Sequence, residues 1–459
     1  MSESYTPQMW MDDLERFGAG GPIIDRRRSP HARFLLHPLQ AAVLHGRVDV
    51  VEFMLHGGYD KDELDEGGRT PLHAASHMGF VDAVQVLLAA GADVGLRCSS
   101  KDMSALDRAA GLGHVHAARM IIEHGAGVNS AGTDGLPPLH FAVLAETEKA
   151  EMVSMLLAMG AGVDTKDNSR SCTALFFAAL QGRLATTQAL LSAGASVDLR
   201  CALGMSALDV AACEGHVDVL RAVLEHGADM NSAEAGGMTA LHIAARNSAA
   251  AVDVLVEAGA NTEAKRESTG STPLHEAAMN GNLATALVLL RRGASINPQN
   301  AAGFSPLHCV ATRATEIEIA QLLDLLLRWG ADEKAITTSG RTVSDIVDSQ
   351  VEEHGSSTED VDLVRKLLAS APADRAWRRR GFLVLCRAHY PAGRVQLGCR
   401  RSHTHHNSIA KRTRSHPQPS RAEIEWAGVA SMLMGVGADP ISLMGDGADI
   451  IFHTIVEFL

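Results

Sequence analysis

The chain has 459 residues, more than one ordinary core holds, and its 46% hydrophobic but only 4% aromatic composition predicts a core of Ala, Leu and Val in closely packed helices. Its net charge of −13 is uneven, because residues 371–421 hold 12 Arg or Lys and one acid, whereas residues 422–459 hold six acids and no base. Seven scattered cysteines without CxxC pairs argue against a disulfide framework. The acidic N-terminus lacks an apolar run, which argues against a secretion signal, and no stretch reaches about 18 uncharged apolar residues, which argues against a membrane span.

A four-residue pattern dominates the chain after an N-terminal flank, and we call it the tetrad. Its clearest copy is Thr-Pro-Leu-His at residues 70–73, and copies recur at intervals of 33 to 36 residues. The tetrads begin at residues 37, 70, 104, 137, 173, 206, 239, 272 and 305. A glycine follows each one about 21 residues later. Such a fixed period indicates an array of equivalent structural units, which we number as repeats 1 to 9.

The second repeat shows why these residues predict two helices. Thr70 can cap a helix that begins at Pro71, because a hydroxyl accepts from an orphan amide and proline is tolerated in the first turn. Gly79 can end this helix in a left-handed conformation. A second helix is expected over Val81–Ala90, closed by Gly91 and followed by a polar turn. One such pair cannot bury its apolar face alone and must stack on neighbours.

The tetrads, the period and the closing glycines together resemble the ankyrin repeat family over residues 33–370. The resemblance implies an all-α ankyrin-repeat solenoid of stacked helix-turn-helix units with protruding hairpin loops, ending in a capping repeat that starts at Thr342. The predicted organisation is an N-terminal flank and cap over residues 1–32, then the array, then a basic and largely disordered segment over residues 371–421. A short acidic and apolar segment over residues 422–459 completes the chain.

Five histidines share the fourth tetrad position, and the resemblance implies that they hydrogen-bond the backbone loops between repeats. They are His73, His140, His242, His275 and His308. A position that repeats with the architecture indicates a structural role, so we assign no metal and no catalytic residue to this set.

The family binds proteins on a concave face, through the residue before each tetrad and the pair before the glycine that ends the first helix. Carried onto this chain, these positions form the candidate stripe: Arg69, His77, Met78, Met103, Leu112, Cys172, Gln181, Met205, Glu214, Met238, Arg246, Asn247, Met279, Asn280 and Phe304. Several are apolar, and methionine is common on adaptable binding faces. The acidic body favours basic or extended partners.

The basic segment leaves three interpretations open: a docking segment, a nuclear-import address or an RNA-contacting patch. Its two clusters are Arg378, Arg379, Arg380 and Lys411, Arg412, Arg414. A zinc site is not predicted, although one cysteine and three histidines lie close in sequence at Cys399, His403, His405 and His406. Their spacing matches no closed four-ligand pattern.

No phosphate loop, dinucleotide fingerprint, HExxH, GxSxG or kinase motif is present, so we expect no enzyme activity and no cofactor. The sequence predicts a monomeric scaffold or adaptor that binds a protein partner, in the cytoplasm or, through the basic segment, in the nucleus. Two alternatives remain open. One is a substrate-receptor subunit of a ubiquitin-ligase-type complex, and the other is nucleic-acid association through the basic tail.

Overall fold

The computed structural model describes residues 37–99, 102–234, 236–313, 319–354 and 361–371. Within these ranges the chain is helical, and extended pairing is limited to isolated bridges in the hairpins. The all-α prediction is therefore confirmed. The predicted N-terminal flank and both predicted tail segments lie outside the described residues, except for the first residue of the basic segment.

The described helices fall into two compact units, Met1–Ser268 and Thr269–Leu459. Unit 1 contains α1 Pro38–Leu44, α2 Val48–His56, α3 Pro71–Met78, α4 Val81–Ala89, α5 Ala105–Leu112, α6 Val115–Glu123, α7 Pro138–Leu144, α8 Ala150–Ala158, α9 Ala174–Leu180, α10 Leu184–Ser192, α11 Ala207–Glu214, α12 Val217–Glu225, α13 Ala240–Asn247 and α14 Ala249–Glu257.

Unit 2 contains α15 Pro273–Met279, α16 Leu283–Arg291, α17 Pro306–Ala311, α18 Ile319–Arg328, α19 Val343–His354 and a helix α20 over residues 361–371. In repeats 1 to 9 the odd-numbered helices follow the tetrads, and we call them inner helices. The even-numbered partners up to α18 are the outer helices.

Helix α3 illustrates how the sequence sets each boundary. Thr70 is its N-cap, and the threonine Oγ1 accepts from the backbone N–H of His73 at 3.3 Å. Pro71 occupies the first turn, and Gly79 ends the helix with φ of 71°. The predicted boundaries of α3 are confirmed. Helix α4 ends one residue earlier than expected, with Ala90 as its C-cap.

Each repeat packs on its immediate neighbours. In unit 1, α3 contacts α1, α5 and its own partner α4, while α4 contacts α2 and α6. The third tetrad position supplies a buried leucine, such as Leu72 at 1% and Leu208 at 2% exposure. Burying such a side chain contributes about 1.5 to 3 kcal/mol. Stability within a unit therefore comes from nearest-neighbour contacts, as expected for a stacked array.

A left-handed residue turns the hairpin two positions before each tetrad from repeat 2 onward. It is a glycine at Gly68, Gly135, Gly204, Gly237, Gly270, Gly303 and Gly340. Asp102 takes the same role with φ of 49°, and Ser171 with φ of 54°. Because a side chain crowds the backbone in this conformation, these two hairpins carry local strain that the glycine hairpins avoid.

Candidate protein-binding surface

The tetrad histidine links its own helix to the next hairpin. The backbone N–H of Thr70 donates to Nδ1 of His73 at 3.2 Å, so Nδ1 is an acceptor and the neutral ring carries its proton on Nε2. That Nε2 donates to the carbonyl oxygen of Met103 at 3.0 Å. Burial lowers the pKa of His73 to about 4, which keeps the imidazole neutral. A neutral imidazole with both nitrogens engaged is structural.

The same inter-repeat bond recurs in both units. Nε2 of His140 donates to the carbonyl oxygen of Cys172 at 3.3 Å in unit 1. In unit 2, Nε2 of His275 donates to the carbonyl oxygen of Phe304 at 2.9 Å. The carbonyl group of the residue before the next tetrad therefore forms part of the contact between repeats. Among the described residues, no group of three or more potential ligand side chains is arranged to hold a metal ion.

Glutamine replaces the histidine in repeat 1 and performs the same inter-repeat function. Gln40 is 1% exposed, and its Nε2 donates to the carbonyl oxygens of Glu63 and Arg69. The Arg69 carbonyl occupies the place that the Met103 carbonyl has beside His73. The glutamine Oε1 has no hydrogen-bond partner.

Aspartate occupies the fourth position in repeats 3 and 6, and each aspartate is paired with an arginine. Nη1 of Arg97 lies 3.1 Å from Oδ2 of Asp107, and Nη1 of Arg200 lies 3.1 Å from Oδ2 of Asp209. Burial raises the pKa of Asp107 to about 6. Nη2 of Arg200 also donates to Ser232 Oγ at 2.7 Å, which replaces the histidine bridge to the next hairpin.

The sequence analysis missed these pairs. Their signal was the Leu-Arg-Cys triplet of residues 96–98 and 199–201, which precedes the Met-Ser-Ala-Leu-Asp of residues 103–107 and 205–209. Both copies place an arginine upstream of a tetrad that ends in aspartate, so a shared substitution predicts a shared contact.

The structure leaves most of the candidate stripe accessible. Its exposed members are His77, Leu112, Gln181, Glu214, Arg246 and Asn247 in unit 1 and Met279 and Asn280 in unit 2. Its half-buried members are Arg69, Met78, Met103, Met205 and Met238 in unit 1 and Phe304 in unit 2. The side chains before the tetrads thus lie at the surface while their carbonyl groups hold the hairpins.

Cys172 is the exception, and its prediction as a surface member of the stripe is wrong. Its side chain is 2% exposed, and its Sγ lies 3.7 Å from the carbonyl oxygen of Arg170. The carboxylate of Asp167 accepts from the Cys172 backbone N–H, which draws the residue into the turn. Burial raises the pKa of this thiol to about 12.

Two phenylalanines that the sequence analysis did not select lie on adjacent inner helices of unit 1. Phe141 on α7 and Phe177 on α9 both follow the tetrad directly, and both are half-buried. The Phe177 ring packs edge-on against His140 with centroids 5.7 Å apart. Leu112 and Leu180, 40% and 37% exposed, lie near the ends of α5 and α9. The available signal was two aromatic residues at one repeat position in a chain poor in aromatics.

An open groove lies on repeats 1 to 3 of unit 1. Its lining is Gln40, Leu44, Asp65, Arg69, His73, Ala74, His77 and Arg108. Within the lining, Nη2 of Arg69 pairs with Oδ2 of Asp65 at 2.7 Å.

The six arginine and lysine residues of the two basic clusters lie outside the described residues. In the part of the chain that the structure describes, no helix has the length and apolar character needed to cross a membrane.

Comparisons with known proteins find the same repeats. The chain is 33% identical over 137 residues to "Ankyrin repeat and KH domain-containing protein mask-1" of Caenorhabditis elegans, covering 30% of this chain and 5% of that protein. It is 28% identical over 194 residues to "Ankyrin repeat protein nuc-2" of Neurospora crassa, covering 35% of this chain and 18% of that protein. The matches therefore span a small part of these longer relatives.

Solved ankyrin repeat domains are similar to about half of the chain. The ankyrin repeat domain of Bcl-3 has a TM-score of 0.44 and 28% identity, covering 48% of this chain and 98% of that one. The human ASB11 ankyrin repeat domain has a TM-score of 0.44 and 25% identity, covering 49% and 99%.

Family models of ankyrin repeats match more than half of the sequence. One model matches residues 29–98, 139–234 and 230–300, and a second matches residues 106–157. Ankyrin repeats are typically protein-interaction modules. Since these models match over most of the described array, the chain is a member of the ankyrin repeat family.

Proposed function

We propose that the chain is a non-catalytic adaptor that binds a protein partner through the exposed and half-buried members of the candidate stripe. The observation that carries this proposal is that the backbone and the side chain of the same residue have different roles. The Met103 carbonyl accepts from His73 at 3.0 Å, and the Phe304 carbonyl accepts from His275 at 2.9 Å. Both side chains remain partly exposed. The architecture therefore needs these backbones and leaves the side chains available for recognition.

Two further methionines that precede tetrads support the same conclusion. The Met205 carbonyl accepts from the Cys201 N–H at 2.9 Å, and the Met238 carbonyl accepts from the Glu234 N–H at 2.8 Å. Both thioethers are half-buried at the surface of unit 1. Flexible, polarisable side chains at a surface favour contact with a partner of irregular shape.

Cysteine chemistry supports an intracellular site of action. The five described cysteines form no disulfide within the described residues. Such usage is typical of proteins from reducing compartments, so we place the adaptor in the cytoplasm or nucleus.

Site-specific crosslinking tests the proposal. A photoreactive amino acid replaces Met205 on the stripe, and a matched variant carries it at Asp218, an exposed residue of the outer helix α12 in the same repeat. We expect a crosslinked protein partner at Met205 and none at Asp218. Equal crosslinking at both positions would contradict a binding role for the stripe.

A further inference from the structure

We infer that the inner helices of repeats 3 to 5 recognise an extended partner segment that carries one carboxylate and two apolar side chains at three-residue spacings, with the carboxylate at one end. The recognition row consists of Arg108, Phe141 and Phe177. This inference rests on the proposed function, because it names the chemistry of the partner that the inner face of unit 1 would bind. It goes further by adding a row of residues outside the candidate stripe.

The cationic end of the row is Arg108, a half-buried residue of α5 that lines the open groove. Its Nη2 donates to Cys98 Sγ at 3.3 Å, and its Nε is buried without a hydrogen-bond partner. Among the described residues, Arg108 forms no ion pair. A half-buried guanidinium without a carboxylate is a strong recognition element for one.

Two carboxylates beside Arg108, one in the lining of the same groove and one next to it in the sequence, pair with other arginines. Asp65 in the same groove pairs with Arg69 at 2.7 Å, and Asp107 pairs with Arg97 at 3.1 Å. Both carboxylates are buried, with 7% and 0% exposure. The charge of Arg108 is therefore left for a group from outside this part of the unit, and the complementary group is an acidic side chain.

The apolar end of the row consists of two phenylalanines. Phe141 and Phe177 occupy the position of Arg108 on the next two inner helices, and both rings are half-buried. Leu112 and Leu180 flank the row with 40% and 37% exposure. Such aromatic anchors, surrounded by further apolar surface, are typical of residues that dominate binding energy.

The spacing of the partner residues follows from the packing of the inner helices. Adjacent packed helices lie about 8 to 10 Å apart. An extended chain advances about 3.3 Å per residue. One step between inner helices therefore corresponds to about three residues of an extended partner. The expected motif is an acid at one end and two apolar residues, with two variable residues between successive members, and its order along the partner depends on the direction in which that chain crosses the helices.

This local chemistry differs from that of the whole chain. The formal charge of −13 favours basic partners by long-range steering. Contact specificity is set at shorter range, where Arg108 and the groove meet the ligand. The partner we infer therefore contains an acid at this position although the chain as a whole is acidic.

Peptide display tests the inference directly. The full chain is immobilised and used to select from a random library of displayed dodecapeptides, and one enriched peptide is resynthesised as the probe. We expect enrichment of an acid and two apolar residues at three-residue spacings, with the acid at one end of the motif. Enrichment of basic peptides, of a different spacing, or no enrichment would overturn the inference.

Charge reversal then assigns the acid to its contact. Arg108→Glu should weaken binding of the probe by about tenfold or more. A second probe, in which the acid is changed to lysine, should bind this variant with restored affinity. The matched control is Arg119→Glu, because Arg119 is an exposed residue of the outer helix α6 in the same repeat. Equal effects of the two reversals would indicate only nonspecific electrostatics and would overturn the contact.

The aromatic contacts are tested by replacing the two rings of the row. The double variant Phe141→Ala and Phe177→Ala should weaken binding of the probe by about tenfold, and Leu180→Ser, a change at an exposed side chain outside the candidate stripe, should weaken it too. Leu203→Ser is the control, because Leu203 is 68% exposed and lies in the hairpin before the repeat 6 tetrad. Melting midpoints are measured for all variants. Undiminished probe binding in the folded double variant would contradict the proposed anchors.

The outcomes separate this inference from the proposed function. If Arg108→Glu leaves the affinity for the probe unchanged, but replacing Met205 and Met238 by alanine abolishes binding, the stripe binds peptides and only the inferred row is wrong. If none of these substitutions changes the affinity for the probe, both the row and the stripe are contradicted as its binding site.

Discussion

Replacing His73 by glutamine should convert a pH-dependent link between repeats into a pH-independent one. The chain already contains the substitution, because Gln40 donates through Nε2 to the Arg69 carbonyl as His73 donates to the Met103 carbonyl. The variant should keep this inter-repeat bond. It should lose the Nδ1 acceptor that the Thr70 N–H uses at 3.2 Å. At pH 7 we expect a loss of about 1 kcal/mol in the free energy of unfolding.

At acid pH the variant should become more stable than the wild type. The pKa of His73 is about 4 in the folded chain, against the ordinary histidine value of 6.5 in the unfolded chain, so the unfolded chain binds more protons between these values. Stability from the neutral imidazole is complete above pH 6.5 and is lost as the pH falls toward 4. The wild-type chain should lose about 3 kcal/mol over this window through His73 alone. The variant lacks this loss, so the two stabilities should cross at about pH 5.8.

Urea unfolding followed by far-UV circular dichroism at pH 7, 5.5 and 4.5 measures the difference. Other buried groups titrate in both chains, and comparing the two chains cancels their contribution. His116→Gln, at an exposed position of α6, is the control and should track the wild type at each pH. A constant difference between wild type and His73→Gln from pH 7 to pH 4.5 would refute the buried neutral imidazole.

Three further predictions concern the array. Ser171→Gly should raise the free energy of unfolding by about 0.5 to 1 kcal/mol, because φ at Ser171 is 54°, whereas Gly204→Ser should lower it; equal signs in thermal melts would contradict the hairpin strain. Leu208→Ala should cost about 2 to 5 kcal/mol by urea unfolding, and an equal or larger cost for Leu39→Ala near the start of the described unit would count against nearest-neighbour stacking. EDTA should leave helicity and the melting midpoint unchanged, and a large chelator-induced loss would contradict the structural role of the tetrad histidines.

The repeat architecture could be predicted because each boundary is set by local chemistry. Thr70, Pro71 and Gly79 each specify a backbone conformation within a few residues, and the 33-residue period specifies which helices are neighbours. The hairpin conformations were harder to predict from the sequence. Ser171 adopts a left-handed φ that its residue type does not favour, and the turn that contains it buries Cys172.

The candidate surface was only partly predictable because exposure depends on several repeats together. A position before a tetrad indicates where the backbone lies, and this was sufficient for Met205 and Met238. Whether Phe141 or Phe177 is accessible depends on the side chains of the neighbouring inner helices. The pairing of Arg200 with Asp209 similarly required a long side chain to fold back across its hairpin.

The central claim is that the candidate stripe recognises a protein partner. The most direct test isolates a partner with the wild-type chain and compares its affinity for two full-length chains and one truncated chain. The first is wild type, the second carries Met205→Ala, Met238→Ala and Arg246→Ala, and the third ends at residue 371. The triple variant changes no tetrad or closing glycine, so its melting midpoint should shift little, while loss of central anchors should weaken binding by about 2 kcal/mol or more. The truncated chain should bind as the wild type does. Unchanged affinity in the triple variant, with binding abolished by truncation, would contradict recognition by the stripe and place it in residues 372–459.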